Sequence, residues 1–291
     1  MEFFGHHLKQ TMTLDASVPR YLPNVRFLAK ACELAYLDKP EGAAGFRAEL
    51  GVDARLIGVD NTQVYVASDP GALVVAFRGS QSPTSLDGVK DWLLTNANNL
   101  LVVPEGRIGT DFAAAGVGAR FHRGFMQALD EIWTPLLQAV QEAMDASERP
   151  LWVTGHSLGG ALALLAAWRF QRAFIGVHEV VTFGAPMIGN AVAAKAFEQA
   201  FPDRIFRYVD IEDPVPLLPT VSLVANAYAH CLNEVRLQGP TQRAFTHALG
   251  ELGRTAVEGM LTASLTDELW TLVRRGIHAH LIPNYQARLR G

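Results

Sequence analysis

Cysteine is scarce in this sequence, and its scarcity excludes two kinds of protein. Only Cys32 and Cys231 occur in 291 residues. Two cysteines provide neither the framework of a disulfide-rich protein nor the paired ligand spacing of a zinc site. We therefore expect both side chains to be buried as small apolar groups, and we expect no metal and no cofactor.

Clusters of positive charge are also missing. Charged residues make up 19% of the chain, the formal net charge is −4, and no run of lysine or arginine forms a basic stripe. A protein that binds nucleic acid needs such a surface to neutralise phosphates. The composition therefore excludes a nucleic-acid partner, and it leaves the oligomeric state open.

Long apolar runs are absent as well. The most apolar stretch, Ala161 to Trp168, is far shorter than the roughly 18 residues that suggest a membrane span. Residues 1–16 do not show the basic segment and apolar run of a secretory signal. We therefore expect no transmembrane segment, and a location that is either cytoplasmic or secreted without a recognisable signal peptide.

Apolar material is abundant, because hydrophobic residues make up 49% of the chain. Short β-rich runs at 151–155, 179–184 and 204–209 alternate with helical segments at 158–174 and 191–201. This alternation predicts an α/β fold with a mostly parallel central sheet and helices on both faces. Since no repeat or linker interrupts the pattern, we expect residues 1–291 to form one domain.

Several further elements follow from local signals. Asn24 is a candidate N-cap for a helix through about Leu37, and Pro135 should kink or split the helical pattern of residues 125–144. The other predictions are a β-hairpin of 62–67 with 72–77, a strand at 234–237 and a mainly helical region at 240–276.

Ser157 is the candidate nucleophile. A strand at 151–154 leads into the sequence GHSLG at 155–159, and a helix rich in alanine and leucine follows. This is the strand-turn-helix setting in which G-x-S-x-G presents a serine on a strained turn, where larger residues than glycine would clash. The helix that begins at Leu158 also directs free N–H groups toward a developing oxyanion. A glycine-rich turn before a buried helix is the structural alternative.

The acid and the base of such a site should follow the serine in the chain. The strand at 204–209 delivers the chain to Asp210, Glu212 and Asp213. The histidines beyond them are His230, His247, His278 and His280. The residues alone do not choose among these candidates.

Five sequence blocks occur together in one order. They are FRGS at 77–80, FHRGF at 121–125, GHSLGG at 155–160, FGAP at 183–186 and DPVPLLP at 213–219. With them, the region from about Phe77 to Tyr285 resembles the class 3 lipase family, the α/β-hydrolases that include fungal triacylglycerol lipases. The resemblance implies an α/β-hydrolase fold and a Ser-Asp-His triad in which Asp213 is the acid, whereas Asp210 and Glu212 are expected to be solvated loop charges.

The same resemblance guides the choice of histidine. His280 is separated by four residues from Tyr285, a spacing seen in bacterial members of the family. The aspartate that often precedes the family histidine is Ala279 here, and His278 lies two positions away, so both histidines stay candidates and His280 is preferred. We expect His230 to be structural and His247 to lie at the surface.

The resemblance also implies an oxyanion hole and a lid. Ser80 matches the first oxyanion donor, and the N–H of Leu158 is the second. The apolar spacing within segment 82–96 predicts a short amphipathic, lid-like helix. This helix either moves or is fixed, and we expect transient contact with a lipid interface. Its candidate residues are Leu86, Val89, Trp92 and Leu93. Segment 105–119, rich in glycine and alanine, is expected to be a loop that shapes the acyl or alcohol pocket.

The function predicted from these features is a serine carboxylic-ester hydrolase, in the first place a lipase that cleaves acylglycerol esters through an acyl-enzyme. Phospholipase A1, feruloyl esterase and carboxylesterase share the fold and are alternatives on the same site. A non-catalytic lipid-binding protein is an alternative of another class. The complete set of candidate triad residues argues against it.

Overall fold

The computed structural model describes residues 13–80, 101–217, 228–237, 276 and 278–290. The strands are β1 (Asp53–Val59), β2 (Thr62–Ser68), β3 (Leu73–Phe77), β4 (Leu101–Val102), β5 (Phe121–His122), β6 (Leu151–His156), β7 (Glu179–Phe183), β8 (Gly189–Asn190), β9 (Ile205–Asp210), β10 (Tyr228–Ala229) and β11 (Glu234–Leu237). The helices are α1 (Leu22–Leu34), α2 (Glu41–Gly45), α3 (Gly106–Ala113), α4 (Arg123–Ala146), α5 (Leu158–Arg172), α6 (Ala191–Ala200) and α7 (Ile282–Arg290), with a π-helical turn at Phe46–Leu50 and a 3-10 turn at Val215–Leu217.

The central sheet has seven strands in the order β1-β2-β3-β6-β7-β9-β11. β1, β2 and β3 pair antiparallel, and every following neighbour is parallel. The β2–β3 hairpin and the strand β11 are confirmed. Asp69 stabilises the hairpin turn because its Oδ1 accepts the N–H groups of Gly71 and Ala72.

Helices cover both faces of this sheet, as predicted. Side chains alternate along a strand, so Val64 and Val66 of β2 belong to one apolar core, and Tyr65 and Ala67 belong to the other. The first core includes residues of α4, α5 and α6, and the second includes residues of α1 and α7. Each fully buried large aliphatic or aromatic side chain contributes roughly 1.5–3 kcal/mol.

The prediction for α1 is wrong in its boundaries. The helix begins at Leu22 after Tyr21 as N-cap, and it ends at Leu34. Pro23 lies in the first turn, where its missing N–H costs nothing, and this moves the helix start upstream of Asn24. The buried Asn24 side chain instead accepts the N–H of Asp15 and donates to its carbonyl, at 2.9 and 2.6 Å.

Pro135 does not split α4, which continues from Arg123 to Ala146. A proline inside a helix costs about 3 kcal/mol because one backbone hydrogen bond is lost. Ile132, Trp133 and Leu136 are buried around it. Their packing offsets the local cost, so the expected split is wrong.

The expected loop at 105–119 is helical over Gly106–Ala113, the helix α3. Asp111 anchors it to α5: its carboxylate lies 2.8 Å from Arg169 Nε, and its carbonyl accepts Trp168 Nε1 at 2.8 Å. Arg169 is almost fully buried and also pairs with Asp130 at 3.1 Å. Because a buried guanidinium needs such partners, the Asp111–Arg169 ion pair fixes α3 against the core, and the Asp130 pair joins α4 to the same side chain.

A second, antiparallel sheet of two-residue strands, in the order β10-β8-β5-β4, was not predicted. Strands this short show no readable alternation.

The helical prediction for 240–276 and the lid-like segment 82–96, with Leu86, Val89, Trp92 and Leu93, lie outside the described residues. None of the helices in the described ranges has the length and apolar character that a membrane span requires.

Candidate active site

Ser157 lies on a sharp turn between β6 and α5. Its backbone has φ 58° and ψ −131°, a conformation that strains a residue other than glycine by about 1–3 kcal/mol. Two backbone hydrogen bonds hold the turn: the Ser157 N–H donates to Phe183 O, and its carbonyl accepts Gly160 N–H, both at 2.9 Å. The surrounding structure therefore fixes the serine in an unfavourable conformation.

Two glycines let the strand and the helix approach each other at this turn. A Cβ on Gly155 would overlap the carbonyl of Gly159, and a Cβ on Gly159 would overlap the carbonyl of Phe77. The second contact also brings the end of β3 against the first turn of α5. Both glycines of the G-x-S-x-G motif are therefore sterically required.

Asp213 and His280 form a buried hydrogen-bonded pair. His280 Nδ1 lies 2.7 Å from Asp213 Oδ2, and the carboxyl side chain is fully buried. Since a carboxylate only accepts, the bond assigns the proton of a neutral His280 to Nδ1 and leaves Nε2 as a free base. Asp213 Oδ1 accepts the N–H of Val215 at 2.9 Å, which fixes the carboxylate from its other side.

The turn with Ser157 and the pair with His280 are held together by His156. Its Nε2 lies 2.6 Å from the carbonyl of His280, and the two imidazole rings are 4.6 Å apart. Tyr36 hydroxyl lies 2.7 Å from His156 Nδ1. Because a carbonyl only accepts, Nε2 carries the proton and Tyr36 donates to Nδ1. Burial, with His280 nearby, lowers the pKa of His156 well below its ordinary value and keeps it neutral.

Ser80 Oγ and His280 Nε2 are two buried polar atoms of the candidate site. Among the described residues, neither Ser80 Oγ nor His280 Nε2 has a hydrogen-bond partner. Buried polar groups are usually paired, so these atoms are suited to contact a substrate. Ser80 follows β3, whose end packs on the first turn of α5, where Leu158 is the first helical residue. Free N–H groups and the positive dipole end lie there.

Three further residues complete the surroundings of Asp213. The Tyr285 hydroxyl donates to Asp213 Oδ2 at 2.6 Å. Gly184 has φ +60°, and a Cβ there would lie 2.7 Å from Asp213 Oδ2 and 3.0 Å from His280 Nδ1. Arg288 ties down the turn before Asp213 through ion pairs with Asp210 and Glu212. The sequence predicts a role for none of the three residues, although Gly184 lies in the FGAP block and Tyr285 defines the histidine-to-tyrosine spacing.

The competing acidic residues differ from expectation. Asp210 is fully buried, so its description as a solvated loop charge is wrong; the end of β9 carries it into the interior, where Arg288 pairs with it at 3.1 Å. Glu212 is half-buried and lies 3.4 Å from the same guanidinium. Neither of these two carboxyl groups is hydrogen-bonded to His280; both contact Arg288.

Neither His278 nor His230, the two competing histidines among the described residues, is hydrogen-bonded to the Asp213 carboxylate. His278 is exposed, and its carbonyl accepts the Asn284 side chain. His230 Nε2 lies 2.6 Å from Pro216 O, while burial lowers the pKa of His230 to about 3. His247 lies outside the described residues. Cys32 and Cys231 are buried, as expected, and the described ranges contain no group of three metal-binding side chains.

The architecture defines the class of protein first. Lip2 lipase of Yarrowia lipolytica superposes with a TM-score of 0.60 at 23% identity, covering 75% of this chain and 79% of that structure. Likeness at this identity establishes the fold, and the α/β-hydrolase fold predicted from sequence is confirmed. The profile of the family described as Lipase (class 3) matches residues 74–223. The chain therefore belongs to the class 3 lipase family.

Several named relatives are similar in sequence to part of this chain. Secreted mono- and diacylglycerol lipase 1 of Fusarium solani is 33% identical over 186 residues, covering 62% of this chain and 50% of that protein. Secreted mono- and diacylglycerol lipase 3 of Gibberella zeae is 29% identical over 166 residues, covering 56% and 49%. Phospholipase A(1) DAD1 of Arabidopsis thaliana is 28% identical over 160 residues, covering 52% and 34%. The chain spans about half the length of the first two relatives.

Proposed function

We propose that this protein is a serine carboxylic-ester hydrolase that cleaves acylglycerol esters, with Ser157 as nucleophile, His280 as general base and Asp213 as the acid that orients it. One observation carries the proposal. His280 bonds to Asp213 through Nδ1, its Nε2 has no hydrogen-bond partner in the described part of the chain, and its main chain is bonded to the residue before Ser157. That combination supplies a base of defined tautomer beside a serine on a strained turn.

The proposed reaction proceeds in two steps. His280 Nε2 takes the proton of Ser157 Oγ while that oxygen attacks the ester carbonyl, and Asp213 stabilises the imidazolium without taking its proton. The oxyanion accepts hydrogen bonds from Ser80 and from the Leu158 N–H, and losing one such donor typically costs about 2.7–4 kcal/mol of barrier.

The intermediate then collapses and is hydrolysed. His280 gives its Nε2 proton to the leaving alcohol oxygen, so the C–O bond breaks and the acyl group stays on Ser157. A water molecule next loses a proton to the same nitrogen and attacks the acyl-enzyme. Its oxygen becomes part of the released fatty acid, and the proton returns to Ser157.

The test is hydrolysis of p-nitrophenyl esters of graded chain length by the wild type and Ser157→Ala. We expect turnover by the wild type and its loss in the variant. The catalytic proposal fails if the wild type hydrolyses none of the esters or if Ser157→Ala is equally active. That result would favour the alternative of another class, a non-catalytic lipid-binding protein.

The choice of base is tested with His278→Ala and His280→Ala. His278 is exposed, whereas His280 is buried against Asp213. We therefore expect near-normal turnover for the first variant and a loss of at least about a hundredfold for the second. The reverse order would transfer the role to His278.

The substrate class separates the remaining candidates. The Fusarium solani and Gibberella zeae relatives are named as mono- and diacylglycerol lipases, and the Arabidopsis thaliana relative as a phospholipase A(1). We favour acylglycerols because the first two cover more of this chain. A panel of mono-, di- and triacylglycerols, phospholipids and feruloyl esters decides: preferred release of the sn-1 chain from phosphatidylcholine would replace acylglycerol lipase by phospholipase A1.

The comparison with the fungal relatives supports a proposal about location. The fungal relatives are named as secreted, so we favour secretion over a cytoplasmic location; recovery of the protein only from cells would contradict it.

For the lid-like segment 82–96, a jump in rate as substrate passes from monomers to emulsion would support contact with a lipid interface. A smooth saturation curve would speak against it.

A further inference from the structure

The turn that carries Asp213 is shaped by Asp210. The Asp213 N–H donates to the carbonyl of Asp210 at 2.9 Å, and the Glu212 N–H donates to Asp210 Oδ1 at 3.0 Å. Asp210 thus closes the turn with its main chain and its side chain together. A displacement of Asp210 is transmitted directly to Asp213.

The buried carboxyl group of Asp210 is paired with Arg288. Its side chain is fully buried, and Arg288 Nε lies 3.1 Å from its Oδ2. In the described part of the chain, no other cation is recorded within ion-pair distance of Asp210. The same guanidinium reaches Glu212 Oε2 through Nη2 at 3.4 Å. Arg288 therefore bridges the first and third residues of the turn, a geometry that suits a planar fork of donors.

Arg288 belongs to the helix that also secures Asp213. Tyr285 and Arg288 are three residues apart on α7, so they lie on neighbouring positions of one helix face. Tyr285 hydroxyl accepts the N–H of Asp210 at 3.2 Å and donates to Asp213 Oδ2 at 2.6 Å. α7 begins two residues after His280. One short helix thus connects the base to both ends of the turn that carries the acid.

We infer that Arg288 is a positioning residue for the acid and base of this site: by pairing with Asp210 and Glu212, it sets the place of Asp213 relative to His280. The inference deepens the proposed hydrolase and rests on it. Among the described residues, Arg288 forms ion pairs with Asp210 and Glu212, both in this turn, so it acts through the turn.

The kinetic test compares Arg288→Gln with Arg288→Lys. We expect kcat of the glutamine variant to fall on the order of tenfold, since small misplacements of catalytic groups are costly, while KM stays within about twofold. Lysine keeps the charge but reaches one carboxylate at a time, so an intermediate kcat is expected. Arg290→Gln, which removes an exposed charge from the same helix, is the matched control and should leave kcat unchanged.

A double variant tests whether Arg288 acts through Asp210. Asp210→Asn keeps an oxygen that accepts the Glu212 N–H but removes the charge that Arg288 pairs with. If the two groups act as a pair, adding Arg288→Gln to Asp210→Asn should change kcat by less than about threefold, because contacting groups are not additive. A further loss of about tenfold in the double variant would overturn the inference, as would a normal kcat in Arg288→Gln.

A spectroscopic measurement reads the acid–base pair without turnover. The hydrogen-bonded Nδ1 proton of His280 gives a downfield proton resonance that is assigned by its loss in His280→Asn. We expect Arg288→Gln to move or broaden this resonance and Arg290→Gln to leave it in place; an unmoved resonance in Arg288→Gln contradicts the inference.

A wild type with no esterase activity would refute the proposed function, and the Arg288 inference with it. An active wild type, inactive Ser157→Ala and normal Arg288→Gln would refute only the role of Arg288.

Discussion

Tyr285 donates its hydroxyl proton to the same oxygen of Asp213 that contacts His280. The Tyr285–Asp213 distance is 2.6 Å, and the His280 Nδ1–Asp213 distance is 2.7 Å. Burial, together with the Asp213 carboxylate, raises the pKa of Tyr285 well above its ordinary value, so the hydroxyl stays a donor. The acid of the proposed triad therefore has two proton donors on one oxygen, and the tyrosine limits how far the carboxylate can rotate.

Tyr285→Phe should consequently lower kcat by about tenfold and reduce stability by about 1.5–3 kcal/mol, the usual contribution of a hydrogen bond to a charged group. Steady-state kinetics and urea unfolding measure the two effects. Tyr65→Phe is the matched control, because its hydroxyl donates to Leu37 O at 2.8 Å away from the site. Equal kcat values in the two variants would show that the Tyr285 hydroxyl is not needed for the chemistry.

Gly184 leaves room for the Asp213–His280 pair, and Gly184→Ala should remove that room. The new Cβ would lie 2.7 Å from Asp213 Oδ2 and 3.0 Å from the Tyr285 hydroxyl, at a φ of +60°. Since a displacement of about 1 Å can cost a hundredfold in rate, we expect a loss of at least that size.

Gly118→Ala is the control for backbone strain in this experiment. Gly118 has φ +87° with nothing within 4 Å of an added Cβ. Alanine there should destabilise the fold without touching the site, so kcat should be preserved. If the two alanine variants lose kcat equally, strain and not crowding of the pair explains the effect.

The parts of the site that the sequence predicts are those with local signals. Ser157 follows an apolar strand and precedes a helix, and each of these is recognisable from a few neighbouring residues. The Asp213–His280 bond spans 67 residues, and its prediction needed the resemblance to a family. Local pattern alone left three carboxyl groups and four histidines as candidates.

The contacts that were missed are long-range or contradict a local rule. Asp210 follows an apolar run and precedes other acidic residues, which is typical of an exposed loop; its partner Arg288 is 78 residues away. The helix α3 has a sequence rich in glycine, and its ion pair with Arg169 spans 58 residues. In both places the structure depends on ion pairs between residues that are far apart in the sequence. No rule of local spacing predicts such pairs.

Backbone strain at Ser157 predicts a difference in stability between Ser157→Ala and Ser157→Gly. Ser157→Ala keeps a Cβ at φ 58°, whereas Ser157→Gly removes the clash. Strain relief of about 1–3 kcal/mol exceeds the roughly 0.5–1 kcal/mol that glycine loses through its unfolded-state freedom. We expect Ser157→Gly to be the more stable variant by about 1 kcal/mol in chemical denaturation, with neither hydrolysing esters. A more stable alanine variant would mean that the strain stored in the turn is smaller than the roughly 0.5–1 kcal/mol that glycine costs.

Buried His122 predicts how stability depends on pH. Its Nδ1 accepts the Phe125 N–H at the start of α4, and burial lowers its pKa to about 3 from an ordinary value near 6.5. The unfolded chain therefore binds a proton as pH falls below about 6.5, while the folded protein does not until about pH 3. The stability that neutral His122 contributes is fully present above this window and is lost as pH falls through it, at about 1.4 kcal/mol per pH unit.

His122→Gln should reduce the pH dependence of the unfolding free energy by up to that slope between pH 6 and pH 4. At pH 8, both proteins should show the same slope, since His122 is neutral there in the folded and unfolded states; this pH is the internal control. Urea unfolding at each pH gives the comparison. Parallel curves from pH 8 to pH 4 would mean that His122 takes up a proton equally in both states, and that its burial at the start of α4 does not suppress protonation.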